Sequence, residues 1–385
     1  MSQSAAILRS KLPATGTTIF TVMSALAAQH GAINLSQGFP DFPVPAALAD
    51  KVTYHMQQGH NQYAPMQGLL PLREQISAKI SRLYHRNVDP ATEVTVTAGA
   101  TEAIFATMAA LLHPGDEVIV LEPAYDCYIP AIQLNGGLPI TVPLNPDDFS
   151  VDWDKVRERI SLRTRMIMIN SPHNPTGSIL NAEDLEQLAI ITRDKDILLL
   201  SDEVYEHMVY DGMKHHSVLT HAELAEKSVA VFSFGKTFHA TGWKVGYLVA
   251  PPAITAEIRK VHQYLQFSVH TPTQFALAEY MQEETDYQPL TEFYQAKRDL
   301  FLSLTQGSSL QPLKAQGTYF QLFSYAAYSK MPDRELAERL TIDKKLASIP
   351  ISVFYQDKTD HRYLRFCFAK HDQTLAEAAK IIRSL

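Results

Sequence analysis

Lys236 sits in the run Ser233-Phe-Gly-Lys236-Thr-Phe-His-Ala-Thr-Gly-Trp-Lys244, with a hydroxyl three residues before it and a second cation eight residues after it. An amine becomes a nucleophile toward carbonyls when partial desolvation and a neighbouring cation lower its pKa. Ser233 and Lys244 would then hold a phosphate by hydrogen bond and by point charge. This is the pattern of a Schiff-base lysine beside a phosphate-bearing cofactor. Taken alone, it also fits a surface lysine next to a buried strand.

Other segments supply what such a cofactor needs. A pyridoxal-phosphate ring requires an anion at its pyridine nitrogen to act as an electron sink. The run Ile197-Leu-Leu-Leu-Ser201-Asp202-Glu-Val-Tyr205 is apolar and strand-like, then ends abruptly in carboxylates. That places Asp202 at the carboxyl end of a buried parallel strand, where open α/β sheets bind ligands; a helix N-cap is its other reading. Tyr205 is within reach of the cofactor's phenolic oxygen. Asn174, in Met166-Ile-Met-Ile-Asn170-Ser-Pro-His-Asn174-Pro-Thr-Gly177, follows another strand and can donate to the same oxygen. In Val94-Thr-Val-Thr97-Ala-Gly-Ala-Thr101, small residues at a strand-to-helix turn let backbone N–H groups approach an anion.

These segments, with Asn34-Leu-Ser-Gln-Gly38, Asn61-Gln-Tyr63, Glu122-Pro-Ala-Tyr125-Asp-Cys-Tyr128 and Tyr363-Leu-Arg365-Phe, resemble the fold-type I, class I/II pyridoxal-phosphate aminotransferases over essentially the whole chain. The likeness is greatest to the kynurenine aminotransferase/glutamine transaminase K branch and to bacterial methionine aminotransferases. The resemblance implies that Lys236 bonds the cofactor and shuttles the proton. It likewise implies that Asp202 pairs with the pyridine nitrogen, that Asn174 and Tyr205 bind the phenolic oxygen, and that Tyr125 stacks on the ring. Ala100, Thr101, Ser233 and Lys244 would hold the phosphate, joined by Tyr63 from the second subunit of a homodimer. Arg365, with Gly38 and Asn174, would clamp the substrate α-carboxylate, its planar fork matching a carboxylate. Phe20, Tyr128 and His270 would face the substrate. Two departures stand out. Lys244 replaces the arginine of much of the class, and Val269 precedes His270 where relatives carry an aromatic residue, which argues for an adaptable apolar pocket.

The elements that must position these groups read as α/β. Strand-like runs at 94–96, 117–121, 139–142, 166–170, 197–201, 229–234 and 246–250 alternate with helical patterns. The expected architecture is a large domain with a mostly parallel sheet sandwiched by helices, plus a smaller α/β domain. The expected division is 1–40 as an N-terminal arm and part of the small domain, 41–285 as the large cofactor-binding domain, and 286–385 as the small C-terminal domain. Within the first of these, Pro13 and Gly16 break the chain before a short helix near 20–28. Further on, a helix at 293–304 and strands around Phe320 and Arg365 precede a terminal helix from Thr374.

Composition excludes more than it assigns. A net charge of −7 leaves no basic footprint for nucleic acid. No apolar run is long enough to span a bilayer, and the first residues lack a signal-peptide pattern. Two cysteines, Cys127 and Cys367, suit a reducing cytoplasm, and none of the 15 histidines shows metal-ligand spacing. The reading is transamination by a ping-pong cycle, in which a neutral, largely apolar or aromatic L-amino acid (methionine favoured) yields its 2-oxo acid and a second 2-oxo acid accepts the amino group. The alternatives are a cysteine-S-conjugate β-lyase on the same scaffold and a non-catalytic cofactor-binding relative.

Overall fold

The computed structural model describes residues 9–13, 15–283 and 287–385. The first eight residues and the expected boundary at 285/286 lie outside them. After the helix Ile19–His30 and a short strand β1 (Ile33–Asn34), a seven-stranded sheet is built from β2 (Val94–Thr97), β3 (Glu117–Glu122), β4 (Leu138–Pro143), β5 (Thr164–Asn170), β6 (Leu198–Asp202), β7 (Ser228–Ser233) and β8 (Gly246–Val249). Their order is β2-β8-β7-β6-β5-β3-β4. All seven were expected from the sequence, to within two residues at each end.

Successive residues of the central strands separate onto opposite faces. Val118, Val120, Met168, Leu200 and Val231 join one apolar cluster with the helices Ala100–Leu111 and Pro252–Leu265. Ile119, Ile167, Ile169, Leu199 and Phe232 join the other cluster. A strand buried on both faces cannot alternate with polar residues, so it reads as a continuous apolar run. Each such side chain contributes about 1.5–3 kcal/mol on burial. The sheet is parallel except at β8, which runs antiparallel to both β7 and β2. The residues between β7 and β8 form the turn carrying Lys236 and a single 3-10 turn, with no crossover helix to restore the direction.

A second sheet, ordered β12-β13-β10-β9, is antiparallel and comprises β9 (Gln311–Pro312), β10 (Phe320–Ser324), β12 (Ile349–Pro350) and β13 (Tyr363–Cys367). Strand β11 (Leu346–Ala347) pairs in parallel with β1, which ties the N-terminal segment to the C-terminal third of the chain. The helix Ile19–His30 packs on the helix Asp333–Asp343, and Gln288–Thr305 packs on Asp372–Arg383. Among the described residues no helix is long and apolar enough to cross a membrane.

Candidate active site

The carboxyl ends of β2, β5, β6 and β7 meet the start of β8 at one edge of the large sheet. Register fixes what stands there. Asn170 pairs with Asp202, Asp202 with Val231, and Ser233 and Thr97 both with Gly246. Above this edge lies a cavity of about 290 Å³. Lys236, Asp202, Tyr205, Asn174, Ser233, Lys244, Ala100, Thr101, Tyr125, Tyr128, Phe20, Gly38 and Arg365 all line it. Thus thirteen of the fifteen site residues expected from the sequence converge on one space.

One end of the cavity suits an anion. Gly99 caps the helix Ala100–Leu111 at φ 80°, ψ 171°, with no side chain bonded to the first N–H groups. The turn sits tightly on the sheet, since a Cβ on Gly246 would lie 2.6 Å from the Phe232 carbonyl oxygen and 3.1 Å from the Ala100 nitrogen. A Cβ on Gly99 would stand 3.3 Å from Lys244 Nζ, so the lysine amine lies directly against the turn. Open N–H groups at a helix start and an adjacent ammonium together favour a phosphate. The acidic residue of this first turn points away: Glu102 Oε2 accepts from the Ala98 N–H at 3.1 Å, and its Oε1 lies 2.9 Å from His262 Nδ1. His262 Nε2 in turn meets the Met66 carbonyl at 2.9 Å.

At the floor, Asp202 is 5% exposed, and burial pushes its carboxyl up to about 6. The Tyr128 hydroxyl, donating to Oδ2 at 2.7 Å, works against that rise. Asp202 makes no ion pair among the described residues, so a buried carboxylate is left for a cation from outside the chain. Lys236 is half-buried, and desolvation pulls its amine down to about 8. That brings it close to a useful base near neutral pH.

The opposite wall carries Arg365, which is 1% exposed on β13. Its Nη1 donates to Asn174 Oδ1 at 2.7 Å and its Nη2 to the Ser36 carbonyl at 3.0 Å. The guanidinium stacks 3.8 Å from the Phe320 ring centroid, and Nε has no partner. A buried guanidinium with an unsatisfied N–H calls for an anionic ligand, such as a carboxylate.

Tyr63 and His270 do not line this cavity within one chain. Tyr63 is 81% exposed and meets Phe267 edge-on at 5.1 Å, while His270 Nδ1 is 2.7 Å from Thr273 Oγ1. Tyr128, expected on the substrate side, has its hydroxyl committed to Asp202. Sequence reasoning missed Asn170, whose Nδ2 donates to the Asp202 carbonyl at 2.8 Å and whose Oδ1 receives the Asn174 N–H at 2.8 Å. A polar residue ending the strand next to Asp202 was the available signal. It also missed Tyr319, which accepts from Lys236 Nζ at 2.7 Å.

A family model for class I and II aminotransferases matches residues 30–382. The chain belongs to this family. Methionine aminotransferase of Escherichia coli is 50% identical over the full length of both chains. A crystal structure of that methionine aminotransferase superposes with a TM-score of 0.96, covering 98% of this chain and 99% of that one. Human kynurenine–oxoglutarate transaminase 1 is 35% identical, over 91% of each chain. The N-succinyldiaminopimelate aminotransferase structure from Mycobacterium tuberculosis superposes with a TM-score of 0.94 at 37% identity, covering 98% of this chain and 99% of that one. This aminotransferase is therefore a transaminase of fold type I, as the sequence implied, from a family that depends on pyridoxal phosphate.

Proposed function

We propose that the cavity binds pyridoxal phosphate on Lys236 and that the chain transfers the amino group of neutral, apolar or aromatic L-amino acids, methionine favoured, to a 2-oxo acid. The observation that carries this is the convergence of Lys236, the unpaired Asp202 carboxylate and the Gly99–Lys244 cradle on one space facing Arg365. These groups fit the cofactor's aldehyde, ring nitrogen and phosphate in turn.

When bound, the cofactor supplies an electron sink for the pair left as the substrate Cα–H bond breaks. Asp202 would hold the ring nitrogen protonated. Tyr205 and the Asn174 amide would hold the phenolic oxygen, and Tyr125 would cover the ring. Arg365 binds the α-carboxylate and so orients the Cα–H bond toward Lys236, whose amine takes that proton and later returns one. Donor and acceptor share the carboxylate and hence the clamp, which suits a ping-pong cycle. Phe20, Phe39, Ile104 and Val204 give the lining an apolar part, and Arg365 is its single arginine among the described residues. A side-chain carboxylate would be buried there unpaired.

Tyr63 and His270 enter this reading from a second subunit. Tyr63, Tyr264, Leu265 and Phe267, at 81%, 87%, 52% and 50% exposure, form an apolar surface suited to a two-fold interface. The division near residues 40 and 285, and a cytoplasmic location suited to two free cysteines, belong to the same proposal.

The test is borohydride reduction of the holoenzyme followed by peptide mapping, with a screen of amino donors. The cofactor is expected on the peptide containing Lys236, with methionine and phenylalanine outrunning aspartate. Attachment to a different lysine, or aspartate as the best donor, would overturn the reading.

A further inference from the structure

We propose that the Tyr319 hydroxyl is a positioning group for the Lys236 amine, fixing the direction in which the lysine presents its lone pair. The proposal rests on the reading of Lys236 as the cofactor lysine and base. The Tyr319 oxygen lies 2.6 Å from the Gly38 carbonyl oxygen and 2.7 Å from Lys236 Nζ. A carbonyl only accepts, and two oxygens at that separation repel unless a proton lies between them. The phenol proton is therefore committed to Gly38, and Tyr319 can only accept from the lysine. Lys236 also faces the Gly38 carbonyl at 3.3 Å. A neutral amine has two N–H bonds and one lone pair. With both N–H bonds drawn to Tyr319 and Gly38, the lone pair is left on the side facing the cavity. The opposite polarity, a tyrosine donating to the amine, would occupy the lone pair that a base needs.

The surroundings hold this hydroxyl in place. Tyr319 is fully buried and is not part of the cavity wall, so it acts through Lys236. Its ring is boxed by Tyr205 at 5.2 Å, Tyr294 at 5.7 Å and Phe320 at 4.9 Å. The residue before it, Thr318, adopts φ 65°, a left-handed conformation rare for a β-branched side chain. That turn is fastened by the Thr318 N–H to the Met208 carbonyl at 3.0 Å and by the Tyr210 hydroxyl to the Thr318 carbonyl. Strain of this kind persists where the surroundings over-determine it, commonly at functional sites. Gly38 also lines the cavity near the Arg365 wall, so the same hydroxyl links the loop beside the substrate carboxylate to the base.

The experiment compares wild type with Tyr319→Phe, which keeps the ring and its packing. Borohydride mapping of the variant first establishes that Lys236 still carries the cofactor. With methionine, kcat should fall about tenfold while KM stays within about twofold, since one orienting hydrogen bond to the base is lost. The Cα-deuterium isotope effect on kcat should rise, because proton transfer by a misdirected amine becomes more rate-limiting. A second readout does not use turnover. The holoenzyme is converted by stoichiometric methionine to its aminated form, which leaves Lys236 unbonded, and is then acetylated across a pH series. The midpoint for Lys236 should shift to lower pH in the variant, because the lost acceptor stabilised the ammonium. An isotope effect and an acetylation midpoint both unchanged from wild type, with the cofactor mapped to Lys236, would overturn the proposal and leave the base assignment standing. Mapping to another lysine would instead remove the reading on which it rests.

Discussion

The floor and the far wall of the cavity both carry buried charge, but they are assembled in different ways. Asp202 and Asn170 are paired by strand register, and Ser233 stands two residues beyond Val231, the partner of Asp202 on the next strand, so the hydrogen bonds of one sheet set all three. Arg365 is held instead by residues remote in sequence: Asn174, the Ser36 carbonyl, and the ring of Phe320 from the adjacent strand β10. The floor cannot move one group without shifting the register of the sheet. The wall draws on the N-terminal segment, the large sheet's loop and the small sheet at once. A rigid floor suits groups that must meet a developing charge in fixed geometry. A composite wall suits recognition of what all substrates share. The contrast predicts that damage to the floor appears in kcat and damage to the wall in KM.

The largest expected effect tests the floor. Asp202→Asn keeps the shape and the Tyr128 contact but cannot carry the negative charge that holds a ring nitrogen protonated. We expect kcat to fall about 10²–10³-fold, the range for removing one preorganised electrostatic group, with little change in KM. Steady-state kinetics on protein whose absorbance confirms cofactor loading measures this. Near-normal kcat would reduce Asp202 to a structural strand-end residue.

The wall should respond differently. Arg365→Lys replaces a fork with a point charge and removes the Nε–H that the fold leaves unpartnered. KM should rise by a common factor for every amino donor and for the oxo-acid acceptor, with a loss of about 1.5–3 kcal/mol in binding. A penalty that varied strongly with the donor side chain would move Arg365 from the shared clamp into the specificity pocket.

The same contrast sets what could be read from the sequence. Asp202, Asn174 and the turn after Thr97 follow apolar runs and are visible as polar punctuation after buried strands, whereas Asn170, which ends β5 in the same way, was missed. Arg365 and Tyr63 have no such local mark and were named through family resemblance. Tyr319 lies in the strand expected around Phe320 but carries no mark of a role there, because its meeting with Lys236 and Gly38 depends on the left-handed Thr318 and on contacts between distant segments. Six strands of the large sheet were legible through near-continuous burial, whereas in β4, at the sheet's edge, only Val142 is buried. The two-residue strands β1, β9, β11 and β12 are too short to show any period. The antiparallel direction of β8 was equally invisible, since direction depends on the connection rather than on composition.

The smallest expected effect concerns a residue on the line between floor and substrate. Tyr128 was expected to face the substrate, yet its hydroxyl donates to Asp202 Oδ2 at 2.7 Å. Burial raises Asp202 to about 6, and this hydrogen bond, made to the charged form, holds the value below what burial alone would give. Removing the donor in Tyr128→Phe should therefore raise the Asp202 pKa further. Because the ionised carboxylate is the active form, activity is lost as pH falls through that pKa. The acid limb of the kcat profile should then move to higher pH, by about one unit or less if the bond contributes roughly 1 kcal/mol. At pH 8, where Asp202 is ionised in both proteins, kcat and the KM for methionine should stay within about twofold of wild type. An unmoved acid limb with a raised KM for methionine would put the Tyr128 hydroxyl back among the substrate contacts and leave Asp202 dependent on burial alone.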